Sequence, residues 1–219
     1  MKKLLSSLSF LLFLSCCASS QSQLFMRTMF WGSTLEISWL CFSGDKVVRN
    51  PRYGVNPLQL DKEVKENAKN VATFKRNGGK MNLKWGDGRE QNINVEYKDG
   101  VLSAFDGGLC TTAKPFGIKA FQDRTYSGLA VYGNVSRSVT LFLGKDGRFA
   151  EKRLGAVSGD GNVTTGVASA SSANAGTYII NGNTVIFKYG DGREWRAVSQ
   201  PYDLGKEEII LGDQLFKQQ

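Results

Sequence analysis

The chain has 219 residues, a formal net charge of +8, and 25 glycines against only 4 prolines. It contains no histidine, which removes the most common general base and the most common metal ligand. The charges are scattered and no nucleic-acid-binding module is visible, so we expect no nucleic acid as a partner. Abundant glycine between short apolar runs favours an all-β protein of one or two small domains.

The first twenty residues have the features of an export signal. Two lysines precede an apolar stretch, residues 4–14, that suits a secretory signal and is too short to span a membrane. The stretch Leu12–Cys16 (Leu-Phe-Leu-Ser-Cys) then resembles the bacterial lipobox. The resemblance implies a bacterial lipoprotein that is lipidated at Cys16, for example with palmitate, and anchored to a membrane of the cell envelope. The alternative is an ordinary signal peptide cut after Ser20, which would leave a secreted or periplasmic soluble protein.

Two further cysteines, Cys41 and Cys110, lie in the body of the chain. An exported chain meets an oxidising compartment, where two such cysteines usually pair. We therefore expect a disulfide between them. Two buried free thiols are the alternative.

The body of the chain contains one unit twice. Residues 72–90 align without a gap on residues 176–194. Both segments end in one signature, Lys-Trp-Gly-Asp-Gly-Arg-Glu in Lys84–Glu90 and Lys-Tyr-Gly-Asp-Gly-Arg-Glu in Lys188–Glu194. A match of this length indicates duplication of a whole unit. We expect a first β repeat over residues 33–112 and a second over residues 126–216.

Each unit has the pattern of an antiparallel meander. Asn77-Gly78 and Asn181-Gly182 are strong signals for a type I′ hairpin turn, and Gly-Asp-Gly provides a second tight turn. We predict an all-β fold of about ten short strands. It is either an antiparallel β-barrel of lipocalin-like size or two packed half-barrels from the duplication, with one short helix over Leu60–Val71 capped by Asp61.

Alternate positions that stay apolar in both copies mark the face turned to the interior. Leu83 and Trp85 of the first copy match Phe187 and Tyr189 of the second. These four side chains either line a ligand cavity inside a barrel or pack as a solid core.

No pattern in the sequence predicts an enzyme. We interpret the repeated Asp-Gly-Arg-Glu as a turn followed by cross-strand partners, and metal and phosphate motifs are missing. We therefore expect no catalytic residue, no cofactor and no metal. The order of strands and turns is similar to that of uncharacterised exported bacterial β proteins and implies no activity.

The expected function is that of a non-enzymatic binding module for a small apolar ligand or a protein partner. A structural or interaction lipoprotein with a solid core is the first alternative, and a hydrolase on a β scaffold is the second. The segments that differ between the copies, residues 50–71 and 155–175, are where we expect specificity to lie.

Overall fold

The computed structural model describes residues 22–32, 34–115, 117, 122–132, 135–159, 162–167, 174–203, 205 and 207–219. For residues 130–132, 135–137, 154–159 and 162–167 it describes the backbone only. The expected signal peptide and the expected lipidation site Cys16 lie outside the described residues.

Strands make up most of the described chain. In order they are β1 (Gln23–Trp31), β2 (Thr34–Ser43), β3 (Lys46–Arg49), β4 (Val71–Asn77), β5 (Lys80–Trp85), β6 (Glu90–Lys98), β7 (Val101–Phe105), β8 (Gly108–Thr112), β9 (Arg124–Tyr132), β10 (Val135–Leu143), β11 (Arg148–Gly159), β12 (Asn162–Val167), β13 (Ala175–Asn181), β14 (Thr184–Tyr189), β15 (Glu194–Asp203), β16 (Glu208–Leu211) and β17 (Gln214–Gln218). Between β3 and β4 lie helix α1 (Leu60–Glu66) and a 3-10 turn (Ala68–Asn70).

The first copy closes into a barrel. Strands β1 to β8 pair in chain order, each antiparallel to the next, and β8 pairs back with β1. Closure leaves no exposed sheet edge. The turns β2–β3, β4–β5 and β6–β7 lie at the end where β1 begins, which we call the turn end. The connection through α1 lies at the opposite end, which we call the helix end.

The second copy forms a barrel of the same design. Its ring runs β9, β17, β16, β15, β14, β13, β11, β10 and closes where β10 pairs with β9. The extra strand β12 pairs only with the second half of β11, over Leu154–Gly159. The all-β class, the antiparallel barrel architecture and the single short helix are thus confirmed. Each copy closes a whole barrel, and β1 lies before residue 33, where the first repeat was expected to begin.

The helix is shorter than the sequence predicted. α1 ends at Glu66, and the 3-10 turn takes up the rest of the predicted range. The prediction that Asp61 caps the helix was wrong, because Gln59 occupies the cap position without a side-chain hydrogen bond and Asp61 lies inside the first turn. There its negative charge still interacts favourably with the positive N-terminal end of the helix dipole.

The repeated hairpin turn is shifted by one residue from the prediction. Asn181 pairs with Thr184, so Gly182 and Asn183 are the two central residues. Of these two only Gly182 has a positive φ, at 55°. A type I′ turn needs a positive φ at both central positions, so this is not the predicted turn and instead has the type II′ pattern of φ angles. The first copy has the same arrangement at Gly78 and Gly79.

The outer faces of the two barrels share a buried cluster. Its first-barrel members include Trp39 and Val48, and Val198 and Ile210 come from the second barrel. The indole nitrogen of Trp39 donates a hydrogen bond to the carbonyl of Gly212 across this contact. Strands at this contact are therefore buried on both faces, unlike a strand that has one face in water.

The predicted disulfide is not formed, since Cys41 and Cys110 are both free and buried. Cys41 belongs to the cluster between the barrels, whereas Cys110 belongs to the core inside the first barrel. Strand β1 lies between them, pairing with β2 on one side and with β8 on the other. The two thiols thus lie on opposite faces of the barrel wall, where no S–S bond can join them without moving the backbone.

Both thiols are expected to resist alkylation in the native protein. Burial raises the pKa of Cys41 to about 12 and that of Cys110 to about 11, so the reactive thiolate is scarce near neutral pH. Peptide mass mapping after iodoacetamide treatment should find both residues unmodified in native protein and both carbamidomethylated after unfolding in guanidinium. A disulfide-linked peptide pair in the non-reduced unfolded sample would contradict the assignment of free thiols.

Candidate functional site at the mouth of the first barrel

The four side chains predicted to line a cavity or a core are all buried. Leu83 and Trp85 are 2% and 3% exposed in the first barrel, and Phe187 and Tyr189 are 0% and 6% exposed in the second. They fall into two separate clusters, one inside each barrel. Each of the four packs within the apolar core of its own barrel.

The helix end of the first barrel is plugged by arginine. Arg27, only 5% exposed, donates from Nε to the carbonyl of Phe105 at 2.8 Å and from Nη2 to the carbonyl of Asp106 at 2.9 Å. The guanidinium carbon of Arg49 lies 4.9 Å from the centre of the Trp85 ring. Burial and the nearby charge of Arg27 lower the pKa of Arg49. The side chains of Arg27 and Arg49 therefore close this end of the barrel. Arg27 is held by hydrogen bonds to backbone carbonyls, and Arg49 by its contact with the Trp85 ring.

The turn end of the same barrel is open. A cup of about 380 Å³ is lined by Gln23, Phe25, Phe42, Gly44, Phe74, Arg76, Tyr97, Gly100 and Leu102. This volume is within the range of small-molecule sites, near its lower limit. Five strands and two turns of the barrel contribute to the lining, so the cup exists only once the barrel is closed.

Phenylalanine rings form the inside of this cup. The ring centroid of Phe42 lies 5.9 Å from that of Phe25 and 5.4 Å from that of Phe74, both in edge-to-face contact. Phe42, Phe74 and Tyr97 pack on the barrel core but are only partly buried. Partly exposed aromatic rings in a concave site offer apolar area to a ligand.

Arg76 is the charged residue of the lining. Its guanidinium carbon lies 3.6 Å from the centre of the Tyr97 ring, a close cation–π contact. Its side chain is exposed, and the described residues give it no ion-pair partner. The contact with Tyr97 orients a free cation at the edge of an apolar cup.

In the second barrel, the residues at the matching positions are buried. Tyr126, Leu143 and Tyr178 take the places of Phe25, Phe42 and Phe74, as the strand registers show, and are 0%, 2% and 5% exposed. The Tyr178 hydroxyl donates to the carbonyl of Gly144 at 2.8 Å, which ties β13 to the β10–β11 turn.

The counterpart of Arg76 in the second copy is uncharged, and the cation that matches Gln23 there, Arg124, is paired with Glu207. Arg76 and Ile180 occupy matching positions, since Phe74 pairs with Leu83 as Tyr178 pairs with Phe187. Ile180 packs against the apolar core of its barrel. Among the described residues, the matching positions thus hold partly exposed aromatic rings beside Arg76 in the first copy and buried side chains beside Ile180 in the second.

The conspicuous repeated signature forms the same exposed turn in both copies. Asp87 accepts from Arg89 Nε at 2.7 Å, and Asp191 accepts from Arg193 Nε at 2.6 Å. Backbone and side-chain hydrogen bonds from Arg193 lower the pKa of Asp191. Gly88 has a φ of 89°, which glycine adopts readily. The two copies therefore share this motif because its residues form and stabilise the same tight turn.

The residues of the cup were not among those singled out from the sequence. A signal was present, because Phe74 against Tyr178 and Arg76 against Ile180 are positions where the aligned copies differ. Of the two segments that differ between the copies, residues 50–71 lie at the junction of the barrels. In the other segment, the structure does not describe the side chains of residues 155–173.

The fold and the cup define a duplicated double-barrel protein whose first barrel has an open mouth. No family model, no curated protein and no solved structure matches this chain. The one helix in the described part of the chain is too short and too polar to cross a membrane. Among the described residues no group of three or more acidic or cysteine side chains is placed to hold a metal ion.

Proposed function

We propose that this protein is an exported, lipid-anchored binding module that takes a small amphiphile, an apolar body with an anionic head, into the cup of the first barrel. The observation that carries the proposal is the contrast between the two copies. The mouth that is filled in the second barrel is open in the first, where it exposes aromatic rings beside the free cation of Arg76.

The chemistry of the cup suits such a ligand. Burying about 150–200 Å² of apolar ligand surface against the phenylalanine rings corresponds to roughly 4–5 kcal/mol before the cost of association. A carboxylate or sulfonate head meets a guanidinium that can donate two parallel hydrogen bonds. The mixed lining favours an amphiphile over a purely apolar molecule.

The position of the cup relative to the chain start supports a role at a membrane. Strand β1 begins at Gln23 at the turn end, and Gln23 itself lines the cup. Five residues lie between Cys16 and Ser22, so the six Cα–Cα steps from one to the other reach at most about 20 Å. Lipidation at Cys16 would therefore hold the mouth close to a bilayer, where amphiphiles concentrate. The mass map proposed for the cysteines also reports whether Cys16 is the acylated mature N-terminus.

We expect dodecanoate to bind the protein at one site. Isothermal titration calorimetry below the critical micelle concentration of dodecanoate measures the affinity and the number of sites. The variant Arg76→Glu should weaken binding about tenfold or more, which corresponds to about 1.4 kcal/mol. Phe74→Trp should also weaken it, because the larger ring fills the cup. Arg76→Lys keeps the positive charge and should retain most of the affinity.

The matched control lies in the second barrel. Tyr178→Phe removes the hydroxyl that closes the equivalent mouth and should leave the affinity for dodecanoate unchanged. Equal binding by wild type, Arg76→Glu and Phe74→Trp would contradict the cup as the site. Absence of binding would favour the second candidate, a structural or interaction lipoprotein, which the packed interiors of both barrels support.

A further inference from the structure

A second opening lies at the junction of the two barrels, and it is larger than the cup. We propose that it is a separate binding site for a small organic anion that carries a planar ring. The cleft measures about 690 Å³. One side of the cleft is lined by residues 50–53, by α1 and by the 3-10 turn that follows α1. The other side is lined by β15 and by the turn between β16 and β17.

Two aromatic residues give the cleft its ring-binding surface. Trp195 is 38% exposed, and its ring is stacked on Phe187 with centroids 5.1 Å apart and planes 17° apart. Tyr53, in the connection between β3 and α1, also lines the cleft and is only partly buried. A tryptophan supported on one face and exposed to a cleft offers a rigid surface for a planar ligand, at small entropic cost.

The charge of the cleft is positive. Arg52, Lys62 and Lys69 line it, and no ion pair engages them within the described part of the chain. Lys62 Nζ lies 4.2 Å from the centre of the Tyr53 ring. A cation held beside an aromatic face is suited to a ligand that has a ring and an anionic group next to each other.

The acidic residues of the cleft do not cancel this charge. Glu194 accepts from Arg196 Nε at 2.7 Å, so these two neutralise each other. Asp213 is the other acidic residue of the lining, against the three cations named above. Glu66 lies nearby on α1, where it accepts a hydrogen bond from the Tyr53 hydroxyl at 2.6 Å. The balance of the lining remains cationic.

The cleft is held in shape before any ligand arrives. The backbone nitrogen of Tyr53 donates to Glu63 at 2.7 Å, and its carbonyl accepts from Gln59 at 3.3 Å and from Arg196 at 3.4 Å. Further along, Val55 donates to Thr184 of the second barrel at 2.8 Å. The segment is thus fixed to both barrels, which lowers the cost of ordering on binding.

This site differs from the cup in place and in chemistry. The two linings share no residue. One side of the cleft is built by part of residues 50–71, one of the two segments that differ between the copies, whereas the cup belongs to the duplicated frame. The inference therefore goes beyond the proposed function, and either site can fail without the other.

Tryptophan fluorescence of the full chain tests the proposal with three probes: adenosine monophosphate, adenosine and inorganic phosphate. We expect saturable quenching by the nucleotide, at least fivefold weaker binding of adenosine, and weaker binding still of phosphate alone. The double variant Arg52→Gln/Lys62→Gln should weaken nucleotide binding about tenfold or more. Lys75→Gln, which removes an exposed cation of β4 outside the cleft lining, should leave it unchanged.

Dodecanoate binding distinguishes this proposal from that of the cup. The Arg52→Gln/Lys62→Gln variant and the Lys75→Gln variant should both bind dodecanoate with the affinity of the wild type. No saturable quenching by the nucleotide would overturn the inference. It would also be overturned if Lys75→Gln weakened binding as much as the double variant, since the attraction would then be a general effect of net charge.

Discussion

Replacement of Glu63 by leucine should lower the free energy of unfolding by about 3 kcal/mol, because it leaves two buried donors without a partner. Glu63 is fully buried on α1. One carboxylate oxygen accepts from the Tyr53 backbone nitrogen at 2.7 Å, and the other accepts from Asn67 Nδ2 at 2.7 Å. Leucine fills a similar volume but accepts neither hydrogen bond. Equilibrium unfolding in urea measures the effect.

The matched control is Glu66→Leu on the same helix. Glu66 is exposed and bonds only the hydroxyl of Tyr53 among the described contacts, so its loss should lower the free energy of unfolding far less than the loss of Glu63. The Glu63 variant should also lose nucleotide binding in the cleft while it keeps dodecanoate binding in the cup. Equal stabilities for the two leucine variants would contradict the anchoring role of Glu63.

Replacement of Gly176 by alanine should cost about 3 kcal/mol or more. A Cβ at Gly176 would lie 1.9 Å from the carbonyl oxygen of Lys188 and 3.0 Å from the Cα of Tyr189. Both are backbone atoms of the paired strand β14, so relief requires the strands to separate locally. Urea unfolding again measures the loss, and near-ultraviolet circular dichroism should report altered packing of Tyr189.

The first copy supplies the control, because Ala72 stands at the matching position and pairs with Trp85. Ala72 is 1% exposed without distortion of the pairing. Ala72→Gly should cost only about 1 kcal/mol, from backbone entropy and one lost methyl group. Unchanged stability of Gly176→Ala would show that β13 and β14 pair in a different register from the one described.

The duplication made much of the fold predictable. Alternation in residues 81–85 and 185–189 identified strands with one buried face, and Gly-Asp-Gly marked the turn that follows each of them. The barrel class follows because a long antiparallel meander must hide its edges. The number of strands was underestimated, since about ten were expected where the described chain has seventeen.

The error in the disulfide prediction arises in a strand whose two faces are both buried. Five consecutive residues of β2, from Ile37 to Cys41, are buried, because one face meets the barrel core and the other meets the second barrel. Alternation then disappears from the sequence, and the direction of Cys41 cannot be deduced from it. The expected disulfide with Cys110 failed for this reason.

The candidate sites were hidden for a different reason. Phe42, Phe74 and Tyr97 come from three strands that only barrel closure brings together, and each taken alone looks like an ordinary core residue. Local patterns report burial but not whether a barrel mouth is filled. Specificity was expected in residues 50–71, but their position against β15 depends on the contact between the barrels and could not be read from the sequence.

In the proposed function, an amphiphile enters the mouth of the first barrel and not that of the second. Intermolecular nuclear Overhauser effects between dodecanoate and the protein's aromatic protons test it most directly. We predict contacts from the alkyl chain to Phe42, Phe74 and Tyr97, and none to Tyr126 or Tyr178 at the matching positions of the second barrel. Contacts to both barrels alike, or to neither, would contradict the claim.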